Sequence, residues 1–128
     1  MGLWIFMEFV TSGDRGVITE WYDGLDIEAQ EDFHARLERL ANLQRHLWKR
    51  PLYASIKDGI GEIIFKANRI QYRPLGWFGP QQGQFTLLFP AEERNGRFVP
   101  DDAVKHATQR RTIILSDENK VRVRRYDF

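Results

Sequence analysis

Three cationic side chains stand close together in the middle of the chain: Lys66, Arg69 and Arg73. Arg69, Gln71 and Arg73 alternate, so on a strand they would share one face. Two guanidiniums on a concave face suit phosphate, because the planar fork of arginine matches two phosphate oxygens. The chemistry this permits is metal-free RNA cleavage. A 2′-hydroxyl attacks the adjacent phosphorus, one group takes its proton, and cations neutralise the charge of the phosphorane. Arg73, Lys66 and Arg69 are therefore the catalytic candidates, as phosphate binders and charge stabilisers. A structural ion pair between Arg73 and Glu62 is the competing reading and stays open on sequence alone.

Further cations flank this group. Lys57, Arg94 and Arg97 could hold an RNA backbone, although each could equally be a solvated loop charge. Arg122, Arg124 and Tyr126, with Lys120 and Arg125, make a basic and aromatic tail suited to phosphates and a stacked base. The same tail fits a segment covered by a partner, or a solubilising end. The histidines contribute less. His34 lies one position off an apolar stripe, His46 falls near a helix end, and His106 follows Lys105. None has a ligand-spaced histidine and carboxylate beside it, so neither a metal nor a cofactor is expected. Gly76, Gly79 and Gly83 lack the strand–loop–helix setting and the Lys-Ser/Thr pair of a phosphate loop.

The elements that must position these groups follow from periodicity. Residues 3–10, LWIFMEFV, are aromatic and β-branched with one polar break at Glu8, and they read as a strand. Thr11 and Ser12 are cap candidates for a short helix ending at Gly24. Asp26 caps a second helix, with Ala29, Phe33, Leu37, Leu40, Gln44 and Leu47 along one stripe to about residue 47. The two helices should form a hairpin. Residues 51–59 look like a loop. GEIIFKAN from Gly61, then 69–78 and 84–89, read as three meander strands, with Pro74 implying an edge or a bulge. GPQQG (79–83) and Asn95-Gly96 read as turns. A helix from about Pro100 to Ile114 follows. Residues 115–128 are an extra edge strand or a flexible basic tail. The class is α+β, in one domain spanning 1–128, without the βαβ alternation of a doubly wound fold.

Composition limits the alternatives. The chain has 128 residues, 42% of them hydrophobic and 13% aromatic, which argues against disorder. It has no cysteine, so disulfides and thiolate zinc sites are ruled out. The apolar start lacks a basic n-region and is interrupted by Glu8, so it reads as a strand and not as a signal peptide. No run approaches the roughly 18 apolar residues of a membrane span, and a soluble, cytoplasmic protein is expected. The net charge of +1 hides a split. Residues 1–44 hold nine acids against three bases, and 45–128 nine acids against sixteen bases. That sorting suggests an acidic helical face and a basic functional one.

The order of elements, with GEIIFKANRIQYRPLGWFGP (61–80), QFTLLFPAEERNGRF (84–98), PDDAVKHATQRR (100–111) and WYDGLD (21–26), resembles the RelE/ParE superfamily of toxins, and within it a phage-derived, RelE-like subgroup. The resemblance covers about residues 3–114, and Tyr72-Arg73-Pro74-Leu75-Gly76 with Gly79-Pro80 is its most specific part. It implies the toxin of a type II toxin–antitoxin module that cleaves mRNA on the ribosome, an mRNA interferase, with Arg73 in the family's Tyr-Arg strand motif. It also implies a cognate antitoxin, a helix-turn-helix protein, over the basic concave face. Some members poison DNA gyrase instead. Here the first meander strand reads Glu62-Ile63-Ile64-Phe65-Lys66, with one base, and Ala91-Glu92-Glu93 precede Arg94. That pattern keeps a second expectation alive: a non-catalytic protein of the same fold that binds an antitoxin or gyrase. Whether the chain is a monomer or a dimer is left open.

Overall fold

The computed structural model describes residues 2–124. The class is α+β, with three α-helices and a mixed sheet of eight strands. In chain order they are β1 (Ile5–Phe9), α1 (Val17–Asp23), α2 (Ile27–Ala41), β2 (Tyr53–Lys57), β3 (Ile60–Ile63), β4 (Phe65–Ala67), β5 (Ile70–Phe78), β6 (Gln84–Arg94), β7 (Arg97–Val99), α3 (Ala103–Ser116) and β8 (Val121–Val123). The sheet runs β2-β3-β5-β6-β1-β8, with β4 also on β5 and β7 also on β6. β1 lies parallel to β6 and antiparallel to β8.

The apolar run of β1 has a simple cause: both faces of the strand are covered. Phe6 turns towards Trp48 on the side of α1 and α2, and Phe9 lies under Arg110 of α3. Glu8, the polar break, is only 1% exposed. Its Oε1 accepts the backbone N–H groups of Ile18 (3.0 Å) and Thr19 (2.8 Å), and its Oε2 accepts the Thr19 hydroxyl at 2.6 Å. These amides are orphans of the first turn of α1. The helix starts after Gly16 with no side-chain cap of its own. The expected cap at Thr11 or Ser12 is thus replaced by a carboxylate from the neighbouring strand.

Asp26 caps α2 as its sequence indicates, accepting from the Ala29 amide at 2.9 Å. Ala29, Phe33, Leu37 and Leu40 are fully buried. The helix ends at Ala41, short of the expected 47, and a 3-10 turn at Arg45–Leu47 carries the periodicity onward. Leu47 is exposed there, and Trp48 enters the core instead.

The segment expected to be a loop contains β2, which pairs with β3 through a turn at Asp58-Gly59. Both turn residues have positive φ (52° and 80°), as do Asn95 (52°) and Gly96 (78°) between β6 and β7. Positive φ at both central positions marks the hairpin turn whose twist matches its strands.

β3 and β4 are separated at Ile64, whose amide donates to Leu52 O at 2.9 Å and so continues the β2–β3 register by one residue. β3 pairs with β5 at Gly76 and Leu75, and β4 pairs at Tyr72, Gln71 and Ile70. Pro74 falls between these two stretches and cannot donate to a ladder. Across β5–β6 it faces Pro90, and the register shifts just beyond, between Leu75 and Gly76. Of the two alternatives for Pro74, the structure gives the bulge and not the edge, because β5 is paired on both sides.

Gly76 has no room for a side chain, because a Cβ there would collide with Thr86 O and the Phe85 ring. The bulged ladder holds both. Gly76→Ala is expected to cost about 1–3 kcal/mol, read as a lower urea midpoint at unchanged slope.

Candidate functional site

A cavity of about 320 Å³ opens on the sheet between β2, β3, β6 and β7, lined by Arg50, Ile56, Glu62, Glu93, Arg97 and Phe98 among others. Glu62 comes from β3, in register with Ala54 on one side and Leu75 on the other. Its side chain is 11% exposed and lies 3.8 Å from Arg50 Nη2 and 4.0 Å from Arg73 Nε. Burial pushes the Glu62 pKa up, and this outweighs the opposing pull of Arg73 and Arg50, while Glu93 adds to the rise. A carboxylate that holds its proton more readily is a better base once ionised.

Arg73 is buried, at 8% exposure. Its Nη1 donates to Tyr72 O at 2.7 Å and to Phe65 O at 3.5 Å, and its Nη2 donates to Gln71 Oε1 at 3.1 Å. The break at Ile64 creates this arrangement, because the guanidinium reaches a carbonyl at the gap between β3 and β4. Of the two readings of Arg73, the geometry gives the ion pair with Glu62. Arg73 and Arg50 both lie within 4.0 Å of the carboxylate, Arg73 buried and Arg50 74% exposed at its side chain, and Arg97 lines the same cavity.

The other catalytic candidates are not gathered there. Arg69 is not on a strand. It is an exposed turn residue with φ 67°, beside Asn68 at φ 53°, so the alternation that placed it with Gln71 and Arg73 does not apply. Lys66 is exposed on β4 and lines a different cavity, next to α2.

Of the expected RNA-binding residues, Arg97 lines the Glu62 cavity. Lys57 lies at the end of β2 beside Asp58, Asp101 and Lys105. Arg94 pairs with Glu92 at 3.4 Å on the surface. Arg122 reaches Glu8 at 3.6 Å from β8, and the Arg124 guanidinium lies 4.9 Å from the centre of the Tyr22 ring. The start of the basic tail is therefore an edge strand fastened to the body, and its two arginines are engaged structurally. Tyr126 and Arg125 lie outside the described residues.

None of the three histidines lines the Glu62 cavity, and His46 is exposed. His34 stacks on Tyr22, and His106 stacks on Phe89 and contacts Asp102 at 3.1 Å. Among the described residues no group of three His, Asp or Glu side chains is arranged to hold a metal. No helix among them is long and apolar enough to cross a membrane.

Sequence reasoning passed over Arg50 and Phe98. Arg50 sits in no motif and Phe98 only ends the run 84–98, and both reach the cavity because β2 and β7 flank the meander. Phe98 and Ile56 give the cavity an apolar wall beside its charges, the combination that accepts a splayed base next to its phosphate. No protein-family model, no curated protein and no solved structure matches the chain.

Proposed function

We propose that the chain is a metal-independent endoribonuclease with Glu62 as its general base, acting on ribosome-bound mRNA as the toxin of a toxin–antitoxin pair with a RelE/ParE-like fold. The observation that carries the chemistry is a buried carboxylate, beside Arg73, in a cavity with two further arginines, Arg50 and Arg97. Glu62 takes the proton of the 2′-hydroxyl as its oxygen bonds to phosphorus. Arg50 and Arg97 neutralise the phosphorane. The 5′-oxygen then leaves and is protonated by water, giving a 2′,3′-cyclic phosphate and a 5′-hydroxyl. The ribosome, the toxin role and the antitoxin rest on the sequence resemblance alone.

The reading is tested with purified ribosomes carrying a defined mRNA, whose cuts are mapped across a range of pH. Cuts with cyclic-phosphate ends are expected. Below the Glu62 pKa the rate should fall roughly tenfold per pH unit. This limb should lie above the ordinary carboxylate value of 4.5, because burial raises the group. The stability link has a definite sign. The folded state binds this proton more tightly than the unfolded chain, so ionising Glu62 opposes folding. That cost is present above the folded pKa and is relieved as pH falls towards 4.5. Intact mRNA at every pH sinks the cleavage reading.

One observation favours a second reading. Arg73 is fully engaged and Glu93 shares the cavity, which reduces the positive charge facing a polyanion. A non-catalytic protein that binds an antitoxin or gyrase would then leave mRNA whole. Stalled supercoiling with intact mRNA would select the gyrase version.

A further inference from the structure

A second cavity, of about 420 Å³, lies between α2 and β4 and is lined by Arg36, Arg39 and Lys66, with Asp32 as its one acid. The Nη1 of Arg36 is buried and has no hydrogen-bond partner among the described residues. Burial first and Arg39 second push its pKa down, with only Asp32 opposing. Buried donors are nearly always paired, and a buried charge without its acceptor opposes folding. A half-buried guanidinium with one nitrogen shut off from water and without an acceptor, beside Arg39 and Lys66, is arranged for an anion that arrives from outside.

We propose that this cavity is a phosphate site, holding a backbone phosphate of the RNA whose cleavage was proposed for the Glu62 cavity, and the inference rests on that reading for its substrate. The two cavities border the same edge of the sheet. Arg50 lines one and Pro51 the other, and the two residues are consecutive in the chain. Phe65 lines the α2 cavity, while its carbonyl accepts from Arg73, which holds Glu62. A chain crossing the edge at the β3–β4 break therefore meets Glu62 and Arg50 on one side and Arg36, Arg39 and Lys66 on the other. This continuity favours a nucleic-acid phosphate over a peptide carboxylate. It also gives Lys66 a role separate from Arg73: a contact to the backbone of the substrate, away from the scissile bond.

The test uses the full chain and two probes. Inorganic phosphate should raise the melting temperature above that in chloride at equal ionic strength, and Arg36→Gln should abolish that rise. In chloride the variant should melt no lower than the wild type, since it removes a half-buried charge that burial and Arg39 both disfavour. The second probe is a 2′-O-methyl RNA oligonucleotide, which binds but offers no nucleophile and so reads this site independently of cleavage. Arg36→Gln with Arg39→Gln should weaken its binding roughly tenfold at low salt. The slope of log K against log salt should become shallower by about 0.7 for each phosphate that is no longer neutralised. An unchanged slope overturns the proposal. So does a variant that melts lower in chloride, which would make Arg36 a structural residue. Binding of polyglutamate through these arginines, with RNA unaffected, overturns it in favour of an acidic protein partner. Absence of cleavage alone, with these binding results intact, strikes the Glu62 reading and leaves the phosphate site standing.

Discussion

Glu62→Gln is expected to slow RNA cleavage by a factor on the order of 10²–10⁴, the usual contribution of a positioned general base. The change keeps the size and shape of the side chain and removes its ability to take a proton. Arg73 still finds acceptors in Tyr72 O, Phe65 O and Gln71 Oε1, so the strand break should stay closed and the protein should remain folded. Because burial disfavours the charged form of Glu62, the neutral amide should cost little stability. Binding of uncleavable RNA should persist, since Arg50 and Arg97 are untouched. A single-turnover assay on programmed ribosomes separates the two quantities. Should the variant cut as fast as the wild type, Glu62 is not the base, and the cavity is at most a binding surface.

The largest stability effect should come from Glu8→Ala. This carboxylate holds two amides and a hydroxyl at the start of α1 and lies 3.6 Å from Arg122 of β8. Removing it leaves these donors without their acceptor next to an emptied space. Truncating one partner of a buried charged network costs about 3–5 kcal/mol, a fall in melting temperature on the order of 10 °C. Arg122 is 43% exposed at its side chain, so solvent screens its part and most of the effect should come from the helix end. Two controls locate it. Arg122→Ala should cost no more than about 1 kcal/mol, and Glu8→Gln, which keeps one acceptor oxygen, should fall between. If Glu8→Ala melts like the wild type, the strand does not cap the helix.

Much of the architecture is legible one segment at a time. The stripe Ala29, Phe33, Leu37 and Leu40 is the buried face of α2, and Asp26 does at its start what an aspartate before an apolar stripe does. Asn95-Gly96 turns the chain between β6 and β7. Pro74 marks the place where the pairing along β5 is interrupted. The hairpin at Asp58-Gly59 carries an equally local signal, because an Asp-Gly pair between residues able to form strands is a turn of the same kind. β2 was readable on those grounds, although the stretch as a whole looks like a loop.

The site was far less legible. Glu62 and Arg73 are named by their sequence neighbourhood, but that both are buried and that only Glu62 lines the cavity depends on how β3, β4 and β5 pair. At the break between β3 and β4 the Ile64 amide is held by Leu52, twelve positions away on the side of the neighbouring strand. Arg50 and Phe98 reach the cavity from opposite sides of the meander.

The sequence by itself determined the helices, most of the strands, the turns and the α+β class, because capping, periodicity and turn geometry are interactions within a few residues. Tertiary structure alone decided which charges meet. It buried Arg73 beside Glu62, sent Lys66 to Arg36 and Arg39, put Arg69 in a turn, and used Glu8 to finish a helix that lacks its own cap. The physical reason is that burial and pairing of a charge depend on register and on distant strands, which no local pattern encodes.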